Sequence, residues 1–156
     1  GGRPIVLVGY SSGGVLAHAV AGRLAVQDSA ALRGLVMLDS FRPDAAGWGA
    51  PMEPLFAGML GGEDGAGDSS LTVKLTAMAM WGRHLRALPL DPLPLPVLFV
   101  RCTKNYRPPG GLPEFPLATP WQPEHTVREV GFDHFTLLTD GAADVAGHIA
   151  KWLAPQ

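Results

Sequence analysis

The sequence predicts an α/β layered fold with a mostly parallel sheet, and three observations carry that expectation. Runs of β-branched and aliphatic residues, such as Ile5 to Val8, Leu35 to Leu38 and Val97 to Cys102, lack polar alternation. Such runs suit strands covered on both faces, as in parallel sheets. Between them lie segments whose apolar residues recur at helical spacing. The first strand, helix and strand are joined by tight connections, which reads as a right-handed βαβ unit.

Taken in order, Ile5 to Val8 forms the first strand, buried on both faces. Ser12 to Gln27 follows as a helix, because Val15, Leu16, Ala19, Val20 and Leu24 share one face. Leu35 to Leu38 is the second strand and ends at Asp39. From Ser40 to about Ser69 the chain is rich in Gly, Pro and acids, including GGEDGAGDSS, and reads as loop. Leu71 to Leu88 forms a helix carrying Met78, Met80 and Trp81. The proline-spaced LPLDPLPLP introduces the third strand, Val97 to Cys102. A second Pro-rich loop, NYRPPGGLPEFPLATPWQP, precedes a short strand from Thr126 to Val130, which leads into GFDHF. A closing helix from about Asp140 to Leu153 buries Val145, Ile149 and Trp152. No internal repeat is visible, and residues 1–156 read as one domain.

Composition narrows the function classes. Lys and Arg number 12 against 14 Asp and Glu, a net charge of −2, with no basic run to meet nucleic acid. The single Cys102 excludes an internal disulfide and gives no sign of an oxidising compartment, so the expected location is cytoplasmic. No apolar run approaches the roughly 20 residues that span a bilayer, and no secretory signal opens the sequence. The histidines and acids show no metal-ligand spacing, so no metal or bound cofactor is expected.

The chemistry concentrates at PIVLVGYSSGG, where Ser11 stands between Gly9 and Gly13 as strand gives way to helix. Gly-x-Ser-x-Gly in that context is the nucleophile elbow of α/β-hydrolases. The turn is sharp enough that side chains at positions 9 and 13 would clash. It holds Ser11 in a strained conformation with its hydroxyl above the carboxyl edge of the sheet. The N–H of Ser12 opens the helix and points where an oxyanion would develop.

A serine hydroxyl needs a base and an orienting acid behind it. In α/β-hydrolases the chain order is serine, acid, histidine. Asp39 follows the strand after the nucleophile helix, and His134 lies in the loop before the closing helix. All three candidates fall at carboxyl ends of parallel strands, where open α/β sheets bind ligands. The next strand ends in VRCTKN and offers no carboxylate. Asp133 reads as a loop or capping residue, because adjacent side chains diverge. His18 and His148 lie on helices as solvated or packed residues, and His84 lies on the candidate lid helix. His125 is the rival base by position, and Cys102 reads as a small buried hydrophobe.

With these residues in view, the sequence resembles the thioesterase domains that end modular polyketide synthases. The resemblance runs along the whole chain and is strongest in GYSSGG, LVMLDSFRP and GFDHFTLLTDGAADVAGHIAKWL. It implies the α/β-hydrolase fold, represented here by its C-terminal part. It also implies that residues 40–90 form a helical lid over a substrate channel, with Leu55, Phe56, Met59, Met78, Met80 and Trp81 as channel candidates. Tyr10 stands where His is common in that family, and the elbow is expected to face it away from the chemistry. Family members carry further strands before the nucleophile strand and a second oxyanion donor on one of those loops. They also carry helices that pair two subunits. The chain enters its strand straight after Gly1, Gly2, Arg3 and Pro4, so the working domain is expected to include residues upstream of Gly1. Made alone, Ile5 to Val8 would be an apolar edge, and the fragment would be insoluble or inactive.

The implied function is release of a polyketide acyl chain from the phosphopantetheine arm of an acyl carrier protein, through an acyl-enzyme on Ser11. Water would then give the free acid, and a hydroxyl of the chain itself would give a macrolactone. Carrier protein and upstream synthase modules are the implied partners, with a homodimer through segments outside the sequence. Three other readings remain open: a nonribosomal peptide synthetase thioesterase, a free-standing serine esterase, and a catalytically silent interaction fragment.

Overall fold

The aliphatic runs pair side by side into a four-stranded sheet with order β1-β2-β3-β4, every pair parallel. The computed structural model describes residues 4–27, 31–43, 69–107 and 114–154. Among them the elements run β1 (Ile5–Tyr10), α1 (Ser12–Gln27), β2 (Leu32–Leu38), α2 (Ser69–Arg86), β3 (Val97–Cys102), β4 (Thr126–Val130) and α3 (Ala142–Leu153). Much of the expected lid, including Leu55, Phe56 and Met59, lies outside the described residues. Several boundaries differ from expectation: β1 runs on to Tyr10, α2 ends at Arg86, α3 starts at Ala142, and two further starts have a local reason. Strand β2 starts at Leu32 because residues 32–34 still pair with β1. Helix α2 begins at Ser69 within a stretch that reads as loop, since Ser is neutral to mildly unfavourable in a helix but common at its start.

The missing alternation in β2 and β3 follows from burial on two sides. Val36, Leu38, Leu98, Val100 and Cys102 face one way and pack with Val130, Leu137 and Val145, joined by Ile149 and Trp152 of α3. Their neighbours Leu35, Met37, Val97 and Phe99 face the other way and pack with Ala21 of α1. Successive residues of a strand point to opposite faces, so both sets must be apolar once both faces are covered. A third cluster of Val15, Leu85 and Leu90 joins α1 to α2.

Strand β1 does not fit that rule. Among the described residues it pairs only with β2, and Ile5 and Val8 are 44% and 54% exposed. The expectation of burial on both faces fails here because β1 is the edge of this sheet. Helix α1 also departs from its expected face. It buries Gly14, Val15, His18 and Ala21, while Leu16 and Val20 point outward. The sheet therefore takes a face one position round from the most apolar one.

That rotation buries His18 against the Trp121 ring, with both ring nitrogens unpartnered. Burial, aided by nearby His125 and Arg42 and opposed by Asp91, pushes its pKa from 6.5 down to about 4. The folded chain therefore keeps His18 neutral in a window where the unfolded chain protonates it. Stability from this source is lost as pH falls from about 6.5 towards about 4. Replacing His18 with Leu is expected to flatten the acid slope of unfolding free energy by about 1–2 kcal/mol between pH 7 and 4.5. Denaturant titrations at the two pH values check this; an unchanged slope would show that His18 does not titrate with unfolding.

Candidate active site

The elbow is built by a strand that keeps its ladder bond while the backbone reverses. The Ser11 N–H donates to Leu38 O at 2.9 Å, yet Ser11 takes φ 54° and α1 starts at the next residue. A left-handed φ at a non-glycine residue costs about 1–3 kcal/mol, so the surroundings must impose it. Crowding explains two of the glycines. A Cβ on Gly9 would stand 2.3 Å from Gly13 O, and one on Gly14 would stand 1.9 Å from Ser40 Oγ. A Cβ on Gly13 meets nothing within 4 Å. The steric requirement expected at positions 9 and 13 therefore applies at 9 and 14, because α1 turns Gly14 rather than Gly13 towards the end of β2.

Asp39 repeats the device one strand over. Its N–H donates to Val100 O at 2.8 Å while its own φ is 46°. The reversal aims its carboxylate across the end of β3, where Oδ1 accepts the Cys102 N–H at 2.9 Å. Oδ2 lies 2.8 Å from His134 Nδ1, and His134 Nε2 lies 3.0 Å from Ser11 Oγ. A carboxylate beside Nδ1 fixes that nitrogen as the donor and leaves Nε2 of the neutral ring to accept the serine proton. Asp39 is 1% exposed and His134 4%. The structure thus brings Ser11, His134 and Asp39 into one hydrogen-bonded line.

The loop carrying His134 is braced by its neighbours. Asp133 Oδ1 accepts the N–H groups of Phe135 and Thr136 at 2.9 and 3.0 Å, and Thr136 Oγ1 accepts the Asp133 N–H at 3.2 Å. Asp133 is therefore a capping residue, as its position suggested. The Trp121 indole N–H donates to Ser40 O at 2.9 Å and pins the residue after Asp39.

The remaining candidates are placed as follows. Ser12 is the first residue of α1, so its N–H has no acceptor within the helix. Met78 is half-buried on α2, while Met80 and Trp81 are exposed. Trp81 is not among the rings around His134. His125 is buried against Phe99 with unpartnered ring nitrogens, which separates it from the Ser11 line. Burial lowers its pKa. His84 is exposed and His148 half-buried. Cys102 is a free, buried cysteine, and burial pushes its thiol far up, so it packs as a small hydrophobe.

Four aromatic residues close round His134, and the sequence reading did not assign them there. Tyr10 stacks on the imidazole with centroids 4.9 Å apart and planes at 26°. Phe115, Phe135 and Phe41 stand at 4.8, 5.3 and 5.9 Å. The expectation that Tyr10 faces away is therefore wrong for this elbow. Tyr10 packs on the same side as Val6, against the cluster that α3 covers. Counting in twos along β1 would have put it on the side of the sheet where the His134 loop runs into α3.

No protein-family model matches the sequence. The polyketide synthase GfsE of Streptomyces halstedii is 37% identical over 154 residues, covering 98% of this chain and 4% of GfsE. The spectinabilin polyketide synthase system protein NorC of Streptomyces orinoci is 31% identical over 160 residues, covering 97% of this chain and 7% of NorC. The chain thus spans less than a tenth of the length of these relatives. Among solved structures, the thioesterase domain SrfTE, described for cyclization of the lipopeptide antibiotic surfactin, superposes with a TM-score of 0.59. That match has 17% identity and covers 99% of this chain and 70% of SrfTE. The chain has the fold of α/β-hydrolase thioesterases and is homologous to a segment of polyketide synthases.

Two substitutions test the elbow. Gly14→Ala is expected to lower stability by about 1–3 kcal/mol, while Gly13→Ala is neutral or stabilising by up to about 1 kcal/mol. Ser11→Gly is expected to be more stable than Ser11→Ala by about 1 kcal/mol, and so to unfold at a higher temperature, because both lose the hydroxyl and only glycine relieves φ. Thermal unfolding of each variant in the full polypeptide reads both differences.

Proposed function

We propose, on the premise that this chain is a thioesterase-fold segment homologous to polyketide synthases, that it carries the catalytic line of a chain-releasing serine thioesterase. Ser11 is the nucleophile, His134 the general base and Asp39 the acid that holds the imidazole. The observation supporting this most strongly is the position of His134, within 2.8 Å of the acid and 3.0 Å of the hydroxyl.

The geometry suits acyl transfer in two steps. His134 Nε2 takes the Ser11 proton as Oγ attacks the thioester carbonyl. The Ser12 N–H, at the positive end of α1, faces the developing oxyanion together with a donor supplied from elsewhere in the longer polypeptide. The thiolate departs readily, since its thiol has a pKa of about 8.5, and it takes up the proton from His134 Nε2, which returns the imidazole to its neutral form. Water or a hydroxyl of the acyl chain then attacks the acyl-Ser11, and His134 again accepts the attacking proton. The substrate in this reading is a polyketide acyl group on the phosphopantetheine of an acyl carrier protein, delivered by upstream synthase modules. Met78 and Trp81 on α2 would line its path, and the chain would work in the cytoplasm. Among the described residues, no helix is long and apolar enough to cross a membrane.

A fluorophosphonate probe on the full polypeptide tests the reading. Labelling is expected in the parent protein and lost in Ser11→Ala. It should fall at least a hundredfold in His134→Ala, and persist in Asp133→Ala. Loss in Asp133→Ala with retention in His134→Ala would reverse the acid–base assignment. Mass spectrometry of the product from a carrier-bound polyketide thioester separates the two outcomes of release, since the linear acid is heavier than the lactone by one water. Turnover of small soluble esters far above that of the carrier-bound thioester would instead favour a free-standing esterase.

A further inference from the structure

The residue before the nucleophile is in direct contact with the base, and that contact has two parts. The Tyr10 ring lies nearly parallel to the His134 imidazole, with centroids 4.9 Å apart at 26°. Its hydroxyl, meanwhile, donates to the backbone carbonyl of His134 itself. One side chain therefore fixes both the ring and the main chain of the same residue. The other three rings around His134 are tilted or edge-on, at 38° for Phe115, 83° for Phe135 and 60° for Phe41. Among the rings recorded round His134, only Tyr10 is stacked on it.

Position in the chain sharpens the point. Tyr10 ends β1, and the next residue is Ser11. Any shift of the elbow that moves the Ser11 hydroxyl also moves the ring resting on its base. Burial drives the Tyr10 hydroxyl well above its ordinary pKa, with Asp39, Cys102 and Asp133 adding to the effect. It remains a neutral donor throughout the working pH range.

We propose that Tyr10 is a positioning residue for His134: it locks the imidazole between Asp39 and Ser11 and stabilises the imidazolium while that ring holds the serine proton. This inference rests on the reading of Ser11 and His134 as nucleophile and base. In the step concerned, the Ser11 Oγ–H bond breaks and the Nε2–H bond forms, while the freed electron pair makes the Oγ–acyl bond. The imidazole thereby becomes a cation. Asp39 compensates that charge in the ring plane at Nδ1. The π face of Tyr10 compensates it from above, an attraction worth more in a site that excludes water. The titratable groups that face His134 are Asp39 after β2, at Nδ1, and Tyr10 on β1, stacked on the ring; Asp133 precedes it on its own loop and turns its carboxylate to the Phe135 and Thr136 N–H groups.

The test uses the full polypeptide, with p-nitrophenyl butyrate hydrolysis and fluorophosphonate labelling followed from pH 5 to 9. In Tyr10→Leu, which keeps the space apolar, the midpoint of the acid limb of kcat/KM is expected to fall by about 0.5–1 pH unit. The same variant should lose about tenfold in kcat with KM unchanged. In Tyr10→Phe the midpoint should return to the parental value while part of the kcat deficit remains, because the ring is restored without the hydroxyl. Replacing Tyr10 with phenylalanines of increasing fluorine content drains the ring face at nearly constant shape, and should lower the midpoint stepwise even if the Leu variant fails to fold. An unmoved midpoint across the fluorinated series, with Ser11-dependent labelling intact, overturns the role of Tyr10 alone. Labelling that survives Ser11→Ala overturns the underlying reading of the site instead.

Discussion

The hydrogen bond between Asp39 Oδ2 and His134 Nδ1 ties together parts of the chain that meet only because the sheet is parallel and ordered as it is. Asp39 leaves β2 and His134 lies beyond β4, with β3 between them. The carboxylate must span that gap, and the Cys102 N–H at the end of β3 catches its other oxygen on the way. A buried carboxylate without such partners would carry a desolvation cost of several kcal/mol. Here both oxygens are engaged, one by the Cys102 N–H and one by an imidazole that is itself almost fully buried.

Reaching that arrangement requires two left-handed residues at adjacent strand ends, Ser11 and Asp39. Each keeps its amide in the ladder and reverses immediately afterwards, so the side chain is thrust beyond the carboxyl edge rather than onto a face. The strain is held by what lies beneath it. Strands β2 and β3 are apolar on both sides and clamped between α1 and α3, leaving little freedom for the ends to relax. The absence of a Cβ at Gly9 lets α1 start against the end of β1, and its absence at Gly14 lets the same turn pass Ser40 after β2. Core packing and site geometry are in this sense one constraint seen at two depths.

Around the imidazole the chain has placed rings rather than charges. Phe41 follows Asp39 closely, Phe115 comes from the Pro-rich loop that pairs with Tyr106, and Phe135 follows His134 directly. Together with Tyr10 they give the buried imidazole apolar surroundings, in which electrostatic contacts are stronger than in water. Trp121 serves the same region from behind, through its bond to Ser40 O.

The sequence by itself determined the layered α/β class, because aliphatic strands without alternation need cover on both faces, and it marked Ser11, Asp39 and His134 through their order and strand-end positions. It also marked Asp133 as a loop or capping residue, since its side chain must diverge from that of His134, and the structure gives it the Phe135 and Thr136 amides. Other features depended on how elements rotate against one another, which composition does not encode. Tertiary packing decided that α1 buries His18 in place of Leu16, and that Gly14 rather than Gly13 is the crowded glycine. It also decided that Tyr10 turns onto the base, since a ring at a strand end can find its partner only once a loop 124 residues away has folded against it.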